Sequence, residues 1–438
     1  MKPRVNLITM GCSKNLVDSE RVLHMLADAG VEAVHNAPMN GGGTVVINTC
    51  GFIGDAKEES INTILDACRC KADGDIDRVI VMGCLSERYR EELPREIPEV
   101  DAWYGKYDWE AVAAEATRSP RRNPKHDWER TLTTPPHHAY IKIAEGCNRM
   151  CAFCAIPIIT GRYHSRPIAE ILDEVRSLVA RGVKEFNIIA QDLSNYGRDL
   201  GGRQELSPLA QLLEAMADVP GVKWIRLHYA YPADFPYDIL PVMASRPNIC
   251  KYLDIALQHI DDTVLANMHR HIDAAGTREL LATLRREVPG IHIRTTLMVG
   301  FPGETEEAFE RLMQFVAEQR FDRMGAFAYC EEEDTRAARE FADDITEEVK
   351  QARLDRLMEL QEKIALELNE AKIGSTLRVI VDSEDEDYYI CRSQFDSPEV
   401  DPEVLVKKSM PLIPGNMYDV QVTDCLPFEL IAVPLHES

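Results

Sequence analysis

Over residues 1 to about 115, short apolar runs alternate with amphipathic segments, the pattern of parallel strands joined by crossover helices. The runs at 5–9, 44–49 and 78–82 each lead into a short loop bearing a cysteine: Cys12 in MGCSKN, Cys50 in NTCGF and Cys84 in MGCLS. In an open parallel sheet, ligands collect beyond the carboxyl ends of the strands, so three cysteines far apart in sequence are placed to converge. The plain alternative is three small buried thiols, common in cores. Cys68 illustrates it. With Ile61, Ile64 and Leu65 it falls at i, i+3, i+4 and i+7 of a helix over 55–70, on the expected core face. Cys70 lies off that stripe and is assigned no role.

Residues 116–136 carry four prolines and no periodicity, and read as a linker. From His137 the β/α alternation resumes, with strands expected at 140–144, 185–190, 224–228, 251–257, 292–299 and 324–329. Six such units suit a partial (β/α) barrel whose C-terminal mouth carries the chemistry. A long helix over 345–372 is expected to start at Asp344, with Glu347 completing a capping box, and to stop at Gly374. Beyond it, β-rich runs at 376–381, 388–391, 404–407, 417–422 and 429–433 predict a small five-stranded antiparallel β-barrel of the oligomer-binding shape. The fold class is α/β. Its domains are expected at 1–115, 137–373 and 374–438.

Composition narrows the setting. The 438 residues are 45% hydrophobic and 28% charged, ample for two to four soluble domains. No apolar stretch is long enough to span a bilayer and the N-terminal segment lacks an h-region, so no membrane and a cytoplasmic location are expected. The twelve cysteines are then expected to be reduced. A net charge of −24 argues against general adhesion to nucleic acid and suits a basic partner.

The sharpest chemical signal is Cys147, Cys151 and Cys154, spaced C-x-x-x-C-x-x-C inside GCNRMCAFCAIP. That spacing can bring three thiolates onto one four-iron cubane, which normally takes one cysteine per iron. One iron then stays open to a small chelator such as an amino acid. A zinc knuckle is the alternative, and would want a fourth Cys or His at short spacing. His164, the nearest histidine downstream, is too far. Further candidates stand where strands end: Gln191 and Asp192, Gln258 and His259, and Gly300 in GFPGE, where a missing side chain lets backbone approach a ligand. Each is equally readable as a loop residue serving a helix N-terminus. His137, His138, His164, His269 and His271 read as surface or structural histidines.

With both cysteine sets in view, the chain resembles the methylthiotransferase family of radical S-adenosylmethionine enzymes along nearly its whole length. TMGCSKNLVDSE, NTCGFIGDAKEESI and GCLSER resemble that family's N-terminal domain. The middle resembles its radical core, with Phe153 at the aromatic position beside the adenine, and the C-terminal barrel resembles the TRAM domain. KNLVDSE, GRYHSRP, AQDLSNYG and DSPEVD are most similar to the branch that modifies an aspartate of small-subunit ribosomal protein S-twelve. Ala256 and Pro402 depart from the pattern, standing where proline and glycine are frequent, and neither is expected to touch a ligand.

The resemblance implies two 4Fe-4S clusters. Cys147, Cys151 and Cys154 would hold the one that binds and cleaves S-adenosylmethionine, with Phe153, Gln191, Asp192, Gln258 and Gly300 as candidate contacts to that molecule. Cys12, Cys50 and Cys84 would hold an auxiliary cluster that carries sulfur. The implied reaction is methylthiolation of an aspartate β-carbon, an unactivated methylene on which a general base has little grip. An electron donor and a sulfur source follow as partners. The alternatives are a tRNA adenosine methylthiotransferase and, from another class, a non-catalytic iron–sulfur carrier.

Charge separates the first two. Residues 375–438 hold four Lys or Arg against thirteen Asp or Glu, and the run 382–387 alone holds five acids. A barrel gripping RNA would show a basic stripe with stacking aromatics. RNA binding through this domain is therefore not expected. An acidic docking face for a basic ribosomal protein is, although a solvated loop also accounts for the run.

Overall fold

A computed structural model describes residues 4–118, 126, 128–201 and 205–435. Of the expected linker, residues 119–125 and 127 lie outside the described residues.

The N-terminal strands form a five-stranded parallel sheet in the order Glu32–His35, Arg4–Thr9, Thr44–Thr49, Arg78–Gly83, Ala102–Trp103. Thr44–Thr49 is buried on both faces, as a central parallel strand should be. The two outer strands, short and only partly apolar, escaped the sequence reading. Chain order reverses between Arg4–Thr9 and Thr44–Thr49, so the carboxyl-end crevice opens beside the Cys12 and Cys50 loops.

The middle of the chain forms an open six-stranded parallel sheet whose strands lie side by side in chain order, from His138–Lys142 to Arg323–Ala328. Helices cover its outer face over a core that includes Phe186, Ile188, Leu227, Leu253, Phe309 and Phe315. The last strands close a barrel in the order Thr376–Glu384, Tyr388–Ser393, Val404–Lys407, Glu429–Pro434, Met417–Leu426. Four of its pairings are antiparallel, while Val404–Lys407 and Glu429–Pro434 run parallel. No helix among the described residues is long and apolar enough to cross a membrane.

Some local expectations need correction. The long helix spans Glu347–Glu370 and follows Thr346, so Asp344 does not cap it. Glu347 instead pairs with Lys350, which also takes Asp343 at 2.6 Å. In the helix Gly54–Ala72 the buried stripe is Ser60, Ile64 and Ala67, and Leu65 is 40% exposed. Cys68 and Cys70 both pack, partly buried, at the edge of that core.

The described part of the expected linker is no loose tether. Arg130 is buried against Glu20 of the first domain and against Glu174 of the second, at 2.8 Å from the latter. Thr133 donates its N–H to Glu20 at 2.7 Å. Nearby, Asp18 receives both Lys106, at 2.8 Å, and Lys142, with all three side chains buried. Far from there, Lys57 and Arg88 each reach Glu332 at 2.8 Å. Opposite charges this deeply buried hold geometry by the penalty of separating them, so the helix Ser13–Asp28 is fixed against the second sheet and the loops at the carboxyl ends of both sheets line one cavity.

Candidate active site

The cavity measures about 290 Å³, and all six sequence-predicted thiols stand on its wall. Cys12, Cys50 and Cys84 enter from the first sheet, Cys147, Cys151 and Cys154 from the loop after the strand His138–Lys142. Among the described residues no three His, Cys, Asp or Glu side chains stand close enough to share a single metal ion. A four-iron cubane takes its thiolates one per iron instead.

Asn15 ties the N-terminal trio together, a role invisible in the sequence. Its amide donates to the carbonyls of Met10 and Thr49, at 3.1 and 3.0 Å, and its Oδ1 accepts from the Cys84 thiol at 3.4 Å. One buried side chain thus touches the loop or thiol of each strand end. Ser60 clasps the Cys50 peptide from both sides, accepting its N–H at 3.0 Å and donating to its carbonyl at 2.9 Å. Gly11 has φ +82°, and a Cβ there would fall 2.8 Å from the Cys50 sulfur, so only glycine lets these loops approach.

The second trio is held as firmly. Gly146, at φ +78°, packs so tightly on Arg162 that a Cβ would lie 2.2 Å from its carbonyl oxygen. Ala152 donates to the Met268 carbonyl at 3.0 Å and accepts from Ala337 at 2.7 Å, pinning the loop between two other segments. Burial pushes the Cys84 thiol up to about 12 and Cys147 to about 11, and raises Cys50 and Cys154. As free thiols these groups stay protonated. A bound cation or iron cluster is what would draw off their protons.

Charge on the wall inverts that of the molecule. Lys14, Lys106, Arg149 and Arg270 line the cavity, and among the described residues no Asp or Glu does, in a chain with 73 acids and 49 bases. Arg270 donates to the Cys151 sulfur at 3.2 Å, and its ring neighbour Tyr231 also meets that sulfur at 3.7 Å. Arg149 Nη2, Arg270 Nε and Gln191 Oε1 are buried without a protein partner. Thiolate-ligated clusters and carboxylates are anions, and such a wall fits them.

Two strands end in irregularities here. The strand Trp224–Ala230 breaks register after Leu227 and Ile249–Gln258 breaks it after Ile255. Tyr229 has φ +62° and Gln258 φ +72°, left-handed values unusual for such residues. Bulges re-aim side chains next to active sites, and both side chains line the cavity.

Comparison with known proteins is consistent along the whole chain. Residues 4–105 match the Uncharacterized protein family UPF0004, residues 141–316 the Radical SAM superfamily and residues 373–435 the TRAM domain. The ribosomal protein uS12 methylthiotransferase RimO of Parabacteroides distasonis is 56% identical over 98% of both chains. That of Phocaeicola vulgatus is 57% identical, again over 98% of both. The chain belongs to the RimO family. Its enzyme class is that of a transferase using radical S-adenosylmethionine chemistry. At the level of fold alone, it is similar to the radical S-adenosylmethionine methyltransferase TsrM of Kitasatospora setae, solved with cobalamin and a 4Fe-4S cluster, at TM-score 0.54 and 16% identity over 75% of both chains.

Within this RimO-family chain the remaining candidates divide. Phe153, Gln191 and Gln258 line the cavity, and Phe153 meets Phe301 edge-on at 6.5 Å. Asp192 and Gly300 do not line it. Asp192 is buried behind Arg149, accepting its Nε–H at 2.6 Å, and therefore positions that cation. Gly300, at φ +73°, leaves room for the stem of Lys350, whose Cγ would stand 2.4 Å from a Cβ. Ala256 lines the cavity and offers its carbonyl to Arg270. His259 is buried, accepting from Asp261 N–H at 3.0 Å, a structural histidine. Cys68 and Cys70 lie off the wall. Cys68→Ala and Cys70→Ser should therefore retain full iron after reconstitution, measured by ferrozine assay, with Cys68→Ala losing about 1–2 kcal/mol of stability for its partly buried sulfur.

Proposed function

We propose that this RimO-family enzyme methylthiolates the β-carbon of an aspartate in ribosomal protein uS12, using two 4Fe-4S clusters. Cys147, Cys151 and Cys154 hold the cluster that receives S-adenosylmethionine, and Cys12, Cys50 and Cys84 hold the auxiliary one. The domains are 1–115, 137–373 and 374–438, and a ribosomal substrate puts the work in the cytoplasm. The observation that carries this reading is the single cavity on which six thiols from two sheets meet four cations and no acid. When bound, the clusters and S-adenosylmethionine supply hydrogen-atom abstraction, sulfur and the methyl group.

The protein's own part is placement. The buried ion pairs of Asp18 and Arg130 hold together the domains whose two thiol sets line one cavity. Phe153, Gln191 and Gln258 supply an aromatic edge and amide groups for the nucleoside and methionine portions. Arg270 places positive charge beside Cys151, and the backbone N–H of Arg149 donates to the Cys147 sulfur at 3.5 Å. An electron donor and a sulfur source complete the partners.

The C-terminal barrel supports a basic protein partner on narrower grounds than its sequence offered. Asp382 faces inward, paired with Arg392 at 2.6 Å and set 2.6 Å from His137 Nε2. It is lost to any docking face. Glu384, Asp385, Glu386 and Asp387 remain exposed, although Glu384 meets Lys408 at 2.9 Å and Asp385 accepts two N–H groups of its own turn.

The test is mass spectrometry of uS12 and of bulk tRNA from cells with and without this gene. The uS12 aspartate should lose its methylthio group when the gene is deleted, with tRNA unchanged. An unmodified uS12 in both strains, or a tRNA methylthio base that vanishes with the gene, would overturn the reading.

A further inference from the structure

We propose that Lys14 receives the side-chain carboxylate of the substrate aspartate and so selects the residue that reacts. This rests on the reading above that the substrate is an aspartate. Lys14 follows Cys12 by two residues, in the first turn of the helix Ser13–Asp28, and its side chain lines the cavity. Its Nζ stands 3.2 Å from the centre of the Tyr229 ring. Among the described residues it has no carboxylate partner.

The other cations of the wall already have polar partners, with Arg149 Nη2 and Arg270 Nε left over. Lys106 holds Asp18 at 2.8 Å, and Arg149 holds Asp192 and Asp234 at 2.6 and 2.9 Å. Arg270 is bound by the Cys151 sulfur and the Ala256 carbonyl. Lys14 alone has only a ring face, which orients an ammonium without neutralising it. A half-buried cation kept from every acid among the described residues, in a chain with net charge −24, favours an anion that arrives from outside.

The ring beneath it is held at a cost. Tyr229 adopts φ +62° where its strand breaks register, and Asp254 accepts its N–H at 3.2 Å. Strain of this kind persists where the surroundings enforce it, as they do at binding sites. Lys14 is therefore fixed beside the Cys12 loop.

The chemistry then follows from bond connectivity. The carboxylate carbon of aspartate is bonded directly to the β-carbon, so an ammonium that grips the carboxylate fixes the reacting carbon one bond away. Asparagine has the same shape without the charge, and an adenine base has no carboxylate at all. Lys14 thus serves as a specificity and positioning residue and takes no part in bond making.

The experiment titrates purified uS12, and uS12 with its target aspartate changed to asparagine, against reconstituted full-length enzyme carrying Lys14, Lys14→Met or Lys14→Arg. The parent should bind the aspartate form at least about tenfold more tightly than the asparagine form, the range of a close charge pair. Lys14→Met should bring that ratio close to one, and Lys14→Arg should restore much of it. A general loss of structure would weaken both substrates together and leave the ratio standing. An unchanged ratio in Lys14→Met, with a parent that methylthiolates uS12, overturns the inference alone. Loss of substrate-free S-adenosylmethionine cleavage in Lys14→Met would assign the ammonium to the cofactor carboxylate instead and also overturn it. A parent that neither binds nor methylthiolates uS12 overturns the functional reading, and this inference with it.

Discussion

Changing Cys12, Cys50 and Cys84 together to alanine should lower the iron of the anaerobically reconstituted enzyme from about eight to about four per chain, one four-iron cluster having lost its ligands. Methylthiolation should cease while 5′-deoxyadenosine formation continues uncoupled. Changing Cys147, Cys151 and Cys154 should also leave about four irons, but should abolish 5′-deoxyadenosine. The asymmetry follows from the architecture. The trios come from separate sheets, each pinned by its own contacts: Asn15 and Ser60 for the first, Met268 and Ala337 for the second. Removing one set of sulfurs leaves the other loop's supports in place. Iron analysis with product chromatography reads both quantities on one sample. An N-terminal triple variant that kept all its iron would show that the convergence of those three loops serves something other than a cluster.

Cys12, Cys50 and Cys84 were legible because each closely follows a strand, and apolar runs locate strand ends well, whereas Cys147, Cys151 and Cys154 were legible from their own spacing. His292–Val299 and Thr44–Thr49 matched their expected limits to the residue. What the sequence withheld is long-range. Asn15 reads as an ordinary helix residue until Met10, Thr49 and Cys84 are brought around it. Lys14, Lys106, Arg149 and Arg270 come from four separate stretches of chain, and a basic cavity in an acidic protein is visible only once they share a wall. The pattern N-x-C before Gly51 or the KN after Cys12 gave no hint of it. Leu65 and Asp382 failed for the same reason in opposite directions. A helical stripe was placed one residue off, exposing Leu65, because Ser60 is drawn inward by its hydrogen bonds to Cys50 and the small Ala67 fills the core beside Ile64. Asp382 looked like one more acid of a solvated run, but a guanidinium ten residues away draws it inward.

That inward turn leads to the second large effect. Glu185→Gln should destabilise the protein by about 3–5 kcal/mol at neutral pH, because it leaves the buried Arg226 guanidinium without its counter-charge and Arg392 with Asp382 alone. Glu185 is fully buried at the start of the strand Glu185–Ile189. It accepts from Arg392 of the barrel through both oxygens, at 2.9 and 2.8 Å, and from Arg226 of the neighbouring strand at 3.1 Å. Arg392 in turn holds Asp382, so one carboxylate anchors the barrel to the central sheet. Burial by itself would raise the pKa of Glu185, but Arg392 and Arg226 outweigh it and hold the carboxyl well below the usual range. A depressed carboxyl stabilises the fold fully above its unfolded value, near 4.5, and loses that contribution as pH falls toward its folded value. The glutamine variant has no such proton to bind. The gap between parent and variant should therefore be widest at pH 7 and should narrow below pH 4.5 by about 1.4 kcal/mol per pH unit. Urea denaturation followed by tryptophan fluorescence is a suitable measurement, since Trp224 packs in one cluster with Ile380 of the barrel and senses its docking. A gap that stays constant from pH 7 to 3.5 would mean that Glu185 acts through shape alone, and a negligible gap would mean that the barrel is held by its apolar contacts instead.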